Sequence, residues 1–354
     1  MSATGGGRLA SLDALRGITV AAMLLVNNPG DWGHVYAPLL HAPWHGCTPT
    51  DLIFPFFLFL VGVSMAFSVG PRAEEPARRP ALTRGELIRA LRILVAGVVL
   101  HLLAWWLLDL AHFRLWGVLQ RIALCAAAAG LLAVYVRPRG QWIVLAMLLV
   151  GYGAALLAAD TLEPWVNPVS RLDTAVFAPW IYQYQADTGV GHDPEGLVSS
   201  AGALATTVLG LVSGRLLRRR QLAALGALAA SMLILGLAAS PWLPFNKNLW
   251  TSSYACFTGG LAASALLVAH LLVDRRGWPA LGRRFGVNAI AAYMGSSVMA
   301  LLLAACGGWT ILFGSMQHVL PSPMLASLAC ACLFVLFWWL LMWQLDARGI
   351  HLRI

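Results

Sequence analysis

Ten side chains able to do chemistry interrupt a sequence made largely of Leu, Ala, Val, Phe and Gly. They are Asn27, His41, Asp51, Gln120, Arg121, Asp193, Glu195, Asn246, Lys247 and Asn248. Histidine is the side chain that gives and takes protons near neutral pH. Carboxylates can orient it, and amides and cations can stabilise developing negative charge. Each residue also has a plain structural use. Asp51, after Thr48 and Thr50 and ahead of Pro55, suits the start of a helix. Asn27 can simply end one ahead of Pro29-Gly30. Arg121 can pair with Asp109 or with a loop carboxylate, although an arginine inside an apolar run is a functional candidate by default. His34, His41 and His45 raise the question of zinc, but Pro43 separates the last two, so no helix presents them on one face as a metal-binding HExxH would. By residue type alone the set supports a site without naming a reaction.

The elements that must position these residues are membrane spans. Hydrophobic residues make up 59% of the 354 and charged residues 11%, against about 25% charged in soluble domains; the mean hydropathy is +0.74. The expected fold class is all-α, a polytopic transmembrane helical bundle forming one domain over 1–354. Ten spans are expected at about 12–30, 51–70, 87–108, 115–136, 141–160, 197–217, 221–239, 249–272, 286–305 and 324–345. The first reads as an uncleaved start-transfer helix, since no small-x-small cleavage site closes it.

Orientation follows from the basic residues. With a cytoplasmic N-terminus, twenty arginines fall on the cytoplasmic side, including Arg8, Arg16, Arg89, Arg92, Arg283, Arg284 and Arg353. Only Arg114, Arg171 and Lys247 fall outside, and Arg121 lies within a span. That bias predicts both termini in the cytoplasm, in a bacterial inner membrane. It also explains the net charge of +9 as topology signals and lipid-bilayer contact, with no nucleic-acid partner. On this topology the ten polar residues converge on the outer half of the bundle. Two outer loops, 31–50 and 161–196, are long; the second, with Trp165, Trp180, Tyr182 and Tyr184, suits either sugar stacking or a membrane-interface belt. Most of the six cysteines lie in apolar runs as packing residues. Cys47 and Cys306 both fall at the outer face, where a disulfide is open but not implied.

Five strings in chain order resemble one family. They are Leu9-Ala10-Ser11-Leu12-Asp13-Ala14-Leu15-Arg16-Gly17, the run from His41-Ala42-Pro43-Trp44-His45 through Asp51-Leu52-Ile53-Phe54-Pro55-Phe56-Phe57, Gly117-Val118-Leu119-Gln120-Arg121, Asp193-Pro194-Glu195-Gly196-Leu197, and Asn246-Lys247-Asn248-Leu249-Trp250. Over nearly the whole chain they resemble the heparan-α-glucosaminide N-acetyltransferases and their bacterial relatives. The resemblance implies transfer of acetyl from cytosolic acetyl-CoA across the membrane to a terminal glucosamine. It matches His41 to the family's active-site histidine and Asn27 to its companion asparagine. Two departures are expected to matter: the lysosomal members carry an additional N-terminal luminal segment and span, and Asn28-Pro29-Gly30-Asp31 stands where the animal enzymes are glycine-rich, so the acceptor can differ.

The family's task fits these residue types. A sugar ammonium must lose a proton before it attacks a thioester, which is work for His41 as base or as a transient acyl carrier. Asn27 would donate to the thioester oxygen, and Asp51 would orient His41. Arg121, Gln120, Asn246, Lys247, Asn248 and Arg16 are the residues expected to bind the donor or order the site. Arg16, Arg89, Arg92, Arg283 and Arg284 would stand at the inner mouth for the phosphates of CoA. No metal is expected. The partners implied are acetyl-CoA, an amino-sugar acceptor and the bilayer, and a homodimer is compatible with them. The rival readings are a sugar transporter, weakened by the lack of a repeat between the halves, and acylation of a lipid-linked glycan or peptidoglycan sugar.

Overall fold

A long apolar run in a bilayer has no hydrogen-bond partner but itself, so it closes its own backbone bonds as a helix. The computed structural model describes residues 9–352, and within them nearly every such run is helical. In chain order the elements are α1 (Ala10–Asn27), α2 (Ile53–Ser68, entered through a 3₁₀ turn at Pro49–Leu52), α3 (Gly70–Ala73), α4 (Arg79–Leu107), α5 (Val118–Tyr135), α6 (Pro138–Leu157) and α7 (Pro168–Phe177). A hairpin of β1 (Gln183–Gln185) and β2 (Val190–His192) follows. Then come α8 (Ser200–Arg218), α9 (Leu222–Ala239), α10 (Ser252–Ala269, running on as a π-helical turn to Arg275), α11 (Arg283–Val287), α12 (Ala289–Ala305), α13 (Gly308–Val319) and α14 (Pro323–Ala347). Among the described residues nine helices are long and apolar enough to cross a membrane, and the pair α12–α13, bent by 82°, makes a tenth.

Each of the ten expected spans corresponds to a helix, with shifted ends. The first stops at Asn27 rather than 30 because Pro29 cannot continue it. The third begins at Arg79 rather than 87, with Pro80 in its first turn, where a missing N–H costs nothing. Two features were not expected. The connection 306–323 holds α13, and the long loop 161–196, expected at the outer side, is built from α7 and the hairpin. Cys47 and Cys306 are both free thiols. Arg8 and Arg353, counted on the cytoplasmic side, lie outside the described residues.

Side-chain contacts define two faces of the bundle. At one, rich in arginine, Arg218 reaches Glu74 at 3.6 Å, Arg283 reaches Asp346 at 3.6 Å, and Ser11 bonds Asp274. At the other, the end of α1 meets the start of α14 through Gly30 N to Ser327 O at 3.1 Å, and the loops carrying His41, Lys247, Arg114 and Asp193 meet. The second is termed the site face.

The main core lies where α2, α8, α9 and α10 meet, around Phe59, Leu60, Val63, Val208, Leu209, Leu225 and Leu266. Here α2 and α8 touch backbone to backbone. A Cβ on Gly62 would lie 1.9 Å from the carbonyl oxygen of Thr207, and one on Gly210 would lie 2.0 Å from that of Phe59. Small residues permit such an approach, and without a hydrophobic drive in lipid the resulting van der Waals contact is what holds helices together. The pair matters for the site because α2 begins beside Asp51 and α8 follows Asp193 and Glu195.

Candidate active site

His41 sits in the loop between α1 and α2, and three separate ties fix that loop. Trp44 Nε1 donates to Leu162 O at 2.9 Å, Gly46 N donates to Phe245 O at 2.7 Å, and Thr48 Oγ1 donates to Leu40 O at 2.7 Å. Asp51, 1% exposed, both caps and orients. Its Oδ2 accepts from Thr48 N at 2.9 Å, Thr48 Oγ1 at 3.1 Å and Ala42 N at 3.1 Å. Its Oδ1 lies 2.6 Å from His41 Nδ1. A buried carboxylate can only accept, so the imidazole proton belongs on Nδ1 and the lone pair on Nε2. Tyr254 Oη donates to the Asp51 carbonyl at 2.5 Å and braces the same residue from α10. The capping role and the orienting role therefore coexist in one side chain.

On the open side of the ring, Lys247 Nζ lies 3.2 Å from His41 Nε2. Burial, reinforced by Arg121 and Arg114, pulls the Lys247 ammonium below its usual range against the pull of Glu195 and Asp51. Beneath it is an ion cluster: Arg114 bonds Asp193 Oδ1 at 2.6 Å, Asp193 Oδ2 at 3.1 Å and Glu195 Oε2 at 2.6 Å, and its guanidinium lies 4.3 Å over the ring of Tyr182. Burial opposes the charge on Glu195, but Arg114 prevails, helped by Lys247 and Arg121, and holds the carboxyl down at about 2.

Among the described residues Arg121 neither pairs with Asp109 nor bonds directly to a carboxylate. It is fully buried, donates to Gly196 O at 2.9 Å and to Ser199 Oγ, and lies 5.1 Å over the ring of Trp250. It thereby clamps the segment before α8 onto α5. Gln120 donates to Leu115 O at 3.1 Å, and its Oε1 is buried without a hydrogen-bond partner among the described residues. Asn246 folds its own loop, accepting from Leu249 N at 2.8 Å and reaching His45 Nδ1 at 3.3 Å. Arg16 lies toward the arginine-rich face, bound to Asp13, Ser64 and the Gly286 carbonyl, where it ties α1 to α2 and α11. His34 pairs with Asp31 at 2.6 Å, so the three loop histidines have three different partners.

Two cavities converge on this assembly. One, of about 380 Å³, starts at His41, Asp51, Lys247, Asn248 and Glu195 and descends along α2 past Phe54, Phe57 and Val61 to Arg89 on α4. Arg89 lies 18 residues short of the site-face end of α4, about 27 Å along the helix. Its Nε is buried without a hydrogen-bond partner among the described residues. The other cavity, of about 670 Å³, lies between the site-face ends of α1, α4 and α12 and the start of α13, among Asp31, Trp32, His101, Ser296, Trp309 and Phe313. Asn27, Arg114 and Tyr293 line both. The Asn27 side chain makes no hydrogen bond among the described residues, so its amide is free for a ligand at the junction.

Arg114, Tyr293 and His101 were not singled out from the sequence. Arg114 had a signal, as one of only three basic residues expected at the outer side. His101 had one too, as a histidine inside an apolar run, and Tyr293 had none, because only the packing of α4 against α12 brings it to a cavity.

A bundle of nine or ten apolar spans with a histidine held by a buried carboxylate at the mouth of a cavity marks an integral membrane protein with one candidate site. The comparisons are specific about its kind. The family model for heparan-alpha-glucosaminide N-acetyltransferase, catalytic, matches residues 8–184. The chain is 27% identical over 355 residues to the heparan-alpha-glucosaminide N-acetyltransferase of Homo sapiens, covering 82% of this chain and 53% of that protein. It is 26% identical over 356 residues to the enzyme of that name from Mus musculus, covering 82% and 54%. The chain thus spans about half the length of the curated relatives it matches. It belongs to the heparan-alpha-glucosaminide N-acetyltransferase family, a family of transmembrane acetyltransferases.

Proposed function

We propose that this chain, acting over residues 1–354 as one unit in a bacterial inner membrane, moves acetyl from cytoplasmic acetyl-CoA to the amine of a glucosamine-type sugar on the opposite side. The observation that carries this reading is the cavity joining His41 and Asp51 at the site face to Arg89 deep in the bundle. Its girth of apolar side chains suits the thin pantetheine arm. The unpartnered Arg89 Nε supports a role in holding the anionic end of the donor on the arginine-rich side. The wider cavity among Trp32, Trp309 and Phe313 suits a sugar ring, for which aromatic walls and hydroxyls are fitting contacts.

In this mechanism His41 acts as general base through Nε2, with Asp51 fixing the tautomer and bearing on the imidazolium that forms. Asn27, at the junction of the cavities, donates to the thioester oxygen as it gains charge. Arg114, Asp193 and Glu195 hold the junction rigid and are not consumed. The test uses proteoliposomes of known orientation. Acetyl-CoA supplied only at the arginine-rich face should acetylate glucosamine supplied only at the site face. Product that forms only when both share one compartment would replace transmembrane transfer with ordinary one-sided acetylation, and passage of sugar without acetylation would point to transport.

A further inference from the structure

Lys247 is the single lysine of the chain; the other 23 basic residues are arginines. A guanidinium stays charged throughout the range in which proteins work, whereas an alkylamine can shed and regain its proton. At the position that touches the open nitrogen of His41, with Nζ 3.2 Å from Nε2, the chain therefore carries its one readily titratable basic side chain of this kind. Lys247 lines the same cavity as His41, Asp51 and Glu195. An acceptor nitrogen placed to bond His41 Nε2 must take the place now held by Nζ, and so must lie against it.

We infer that Lys247 is a second base, which takes the first proton from the acceptor's ammonium while His41 takes the other. This inference rests on the acetyl-transfer reading above. Transfer from a thioester to an ammonium removes two protons from one nitrogen, and a single imidazole lone pair cannot hold both. Neutral Lys247 accepts the first, which frees the nitrogen lone pair. That pair attacks the thioester carbon, forming the C–N bond as the carbonyl electrons move to oxygen beside Asn27. The nitrogen, now cationic, passes its second proton to His41 Nε2. Re-formation of the carbonyl breaks the C–S bond, and the His41 proton goes to the departing thiolate. Lys247 then returns its proton to water at the site face, so the products are amide, thiol and one released proton.

The charges around Lys247 suit an amine that is neutral part of the time. His41 faces it from the loop before α2, Asp51 from the turn that begins α2 and Glu195 from the segment before α8, while Arg114 acts from the segment before α5 and Arg121 from the first turn of α5. Burial and the two guanidiniums favour loss of its proton, and the two carboxylates limit that effect.

The test is the pH–rate profile of purified protein with acetyl-CoA and glucosamine, for wild type, Lys247→Arg and Lys247→Ala, with folding checked by size-exclusion profile. Both variants should lose about 100-fold or more in kcat near neutral pH, with the KM for acetyl-CoA unchanged. Because the free sugar amine needs no first base, the deficit of Lys247→Ala should shrink as pH rises past the ammonium's own pKa. Added methylamine should restore part of the activity of Lys247→Ala and none of Lys247→Arg. Wild-type turnover by Lys247→Arg across the pH range would overturn the inference and leave the acetyl-transfer reading intact. So would a deficit that neither pH nor methylamine moves, or one confined to the KM for the sugar. Absence of glucosamine acetylation by the wild type would defeat the acetyl-transfer reading, and this inference with it.

Discussion

At the scale of single residues, Asp51 bears the most consequences. Its two oxygens serve four donors, three of them from the loop and turn and one the His41 ring. Asp51→Asn keeps the shape but replaces one acceptor with a donor, so either a backbone N–H loses its partner or the imidazole is offered the wrong tautomer. The expected result is a fall in acetyl transfer of about 10²- to 10⁴-fold and a loss of about 1–3 kcal/mol in stability, read by turnover and by thermal unfolding in detergent. A variant with normal turnover would remove Asp51 from the mechanism. Asn27→Ala separates the other role, because its amide bonds nothing among the described residues. It should cost about 10²- to 10³-fold in kcat with unfolding temperature unchanged, and a shift in stability without one in rate would make Asn27 a helix end and nothing more.

At the scale of elements, the site depends on helices that approach closely enough to present its loops in register. Gly210 on α8 lies against the backbone of Phe59 on α2. Gly210→Val should therefore push apart the two helices that flank Asp51 on one side and Asp193 and Glu195 on the other. Overpacking at such a contact costs about 1–3 kcal/mol or more, and turnover should fall with it although position 210 touches no ligand. Gly314 on α13 supplies the contrast, since a Cβ there meets nothing within 4 Å. Gly314→Ala should leave turnover intact and raise helix stability by about 1 kcal/mol. Equal behaviour of the two variants in thermal unfolding would mean that the α2–α8 approach is not what holds the site. α13 itself shows how an element escapes a reading by hydropathy. Its 12 residues are too few to span, and only the bend at Gly307, with φ of 72°, and the bond from Trp309 Nε1 to Ala300 O fold it back against α12.

At the scale of the whole molecule, the arginine-rich face and the site face are separated by the full length of the bundle. On the arginine bias the first is expected to be cytoplasmic. Cysteine accessibility or reporter fusions near residues 36, 75, 138, 180, 219, 245, 280 and 318 should alternate, beginning outside. One of these positions labelled reproducibly from the wrong side would invert the assignment of donor and acceptor compartments. Under the proposed reaction, the same separation is why the donor would need a cavity through the bundle. A charged nucleotide is costly to bring into a bilayer, whereas its thin acyl-bearing arm can pass between helices.

Much of this was already determined by the sequence, for physical reasons. A span needs about 20 apolar residues and has no alternative to helix in lipid, so the ten spans could be read from local composition. Polar residues beside such runs could be gathered as candidates, but His41 and Asn27 were singled out among them by the resemblance of the strings around them to one family. What only the tertiary structure decided are relations between distant segments. Lys247 meets His41 across 206 positions, and Arg114 meets Asp193 and Glu195 across about 80. The partners of Arg121, which packs on Trp250 and bonds Gly196 O, and of Arg16, which ties α1 to α11, are likewise set by distant segments. A side chain's type limits the chemistry open to it, but its partner is whichever group the packing of other helices brings within 3 Å, and no local pattern carries that distance.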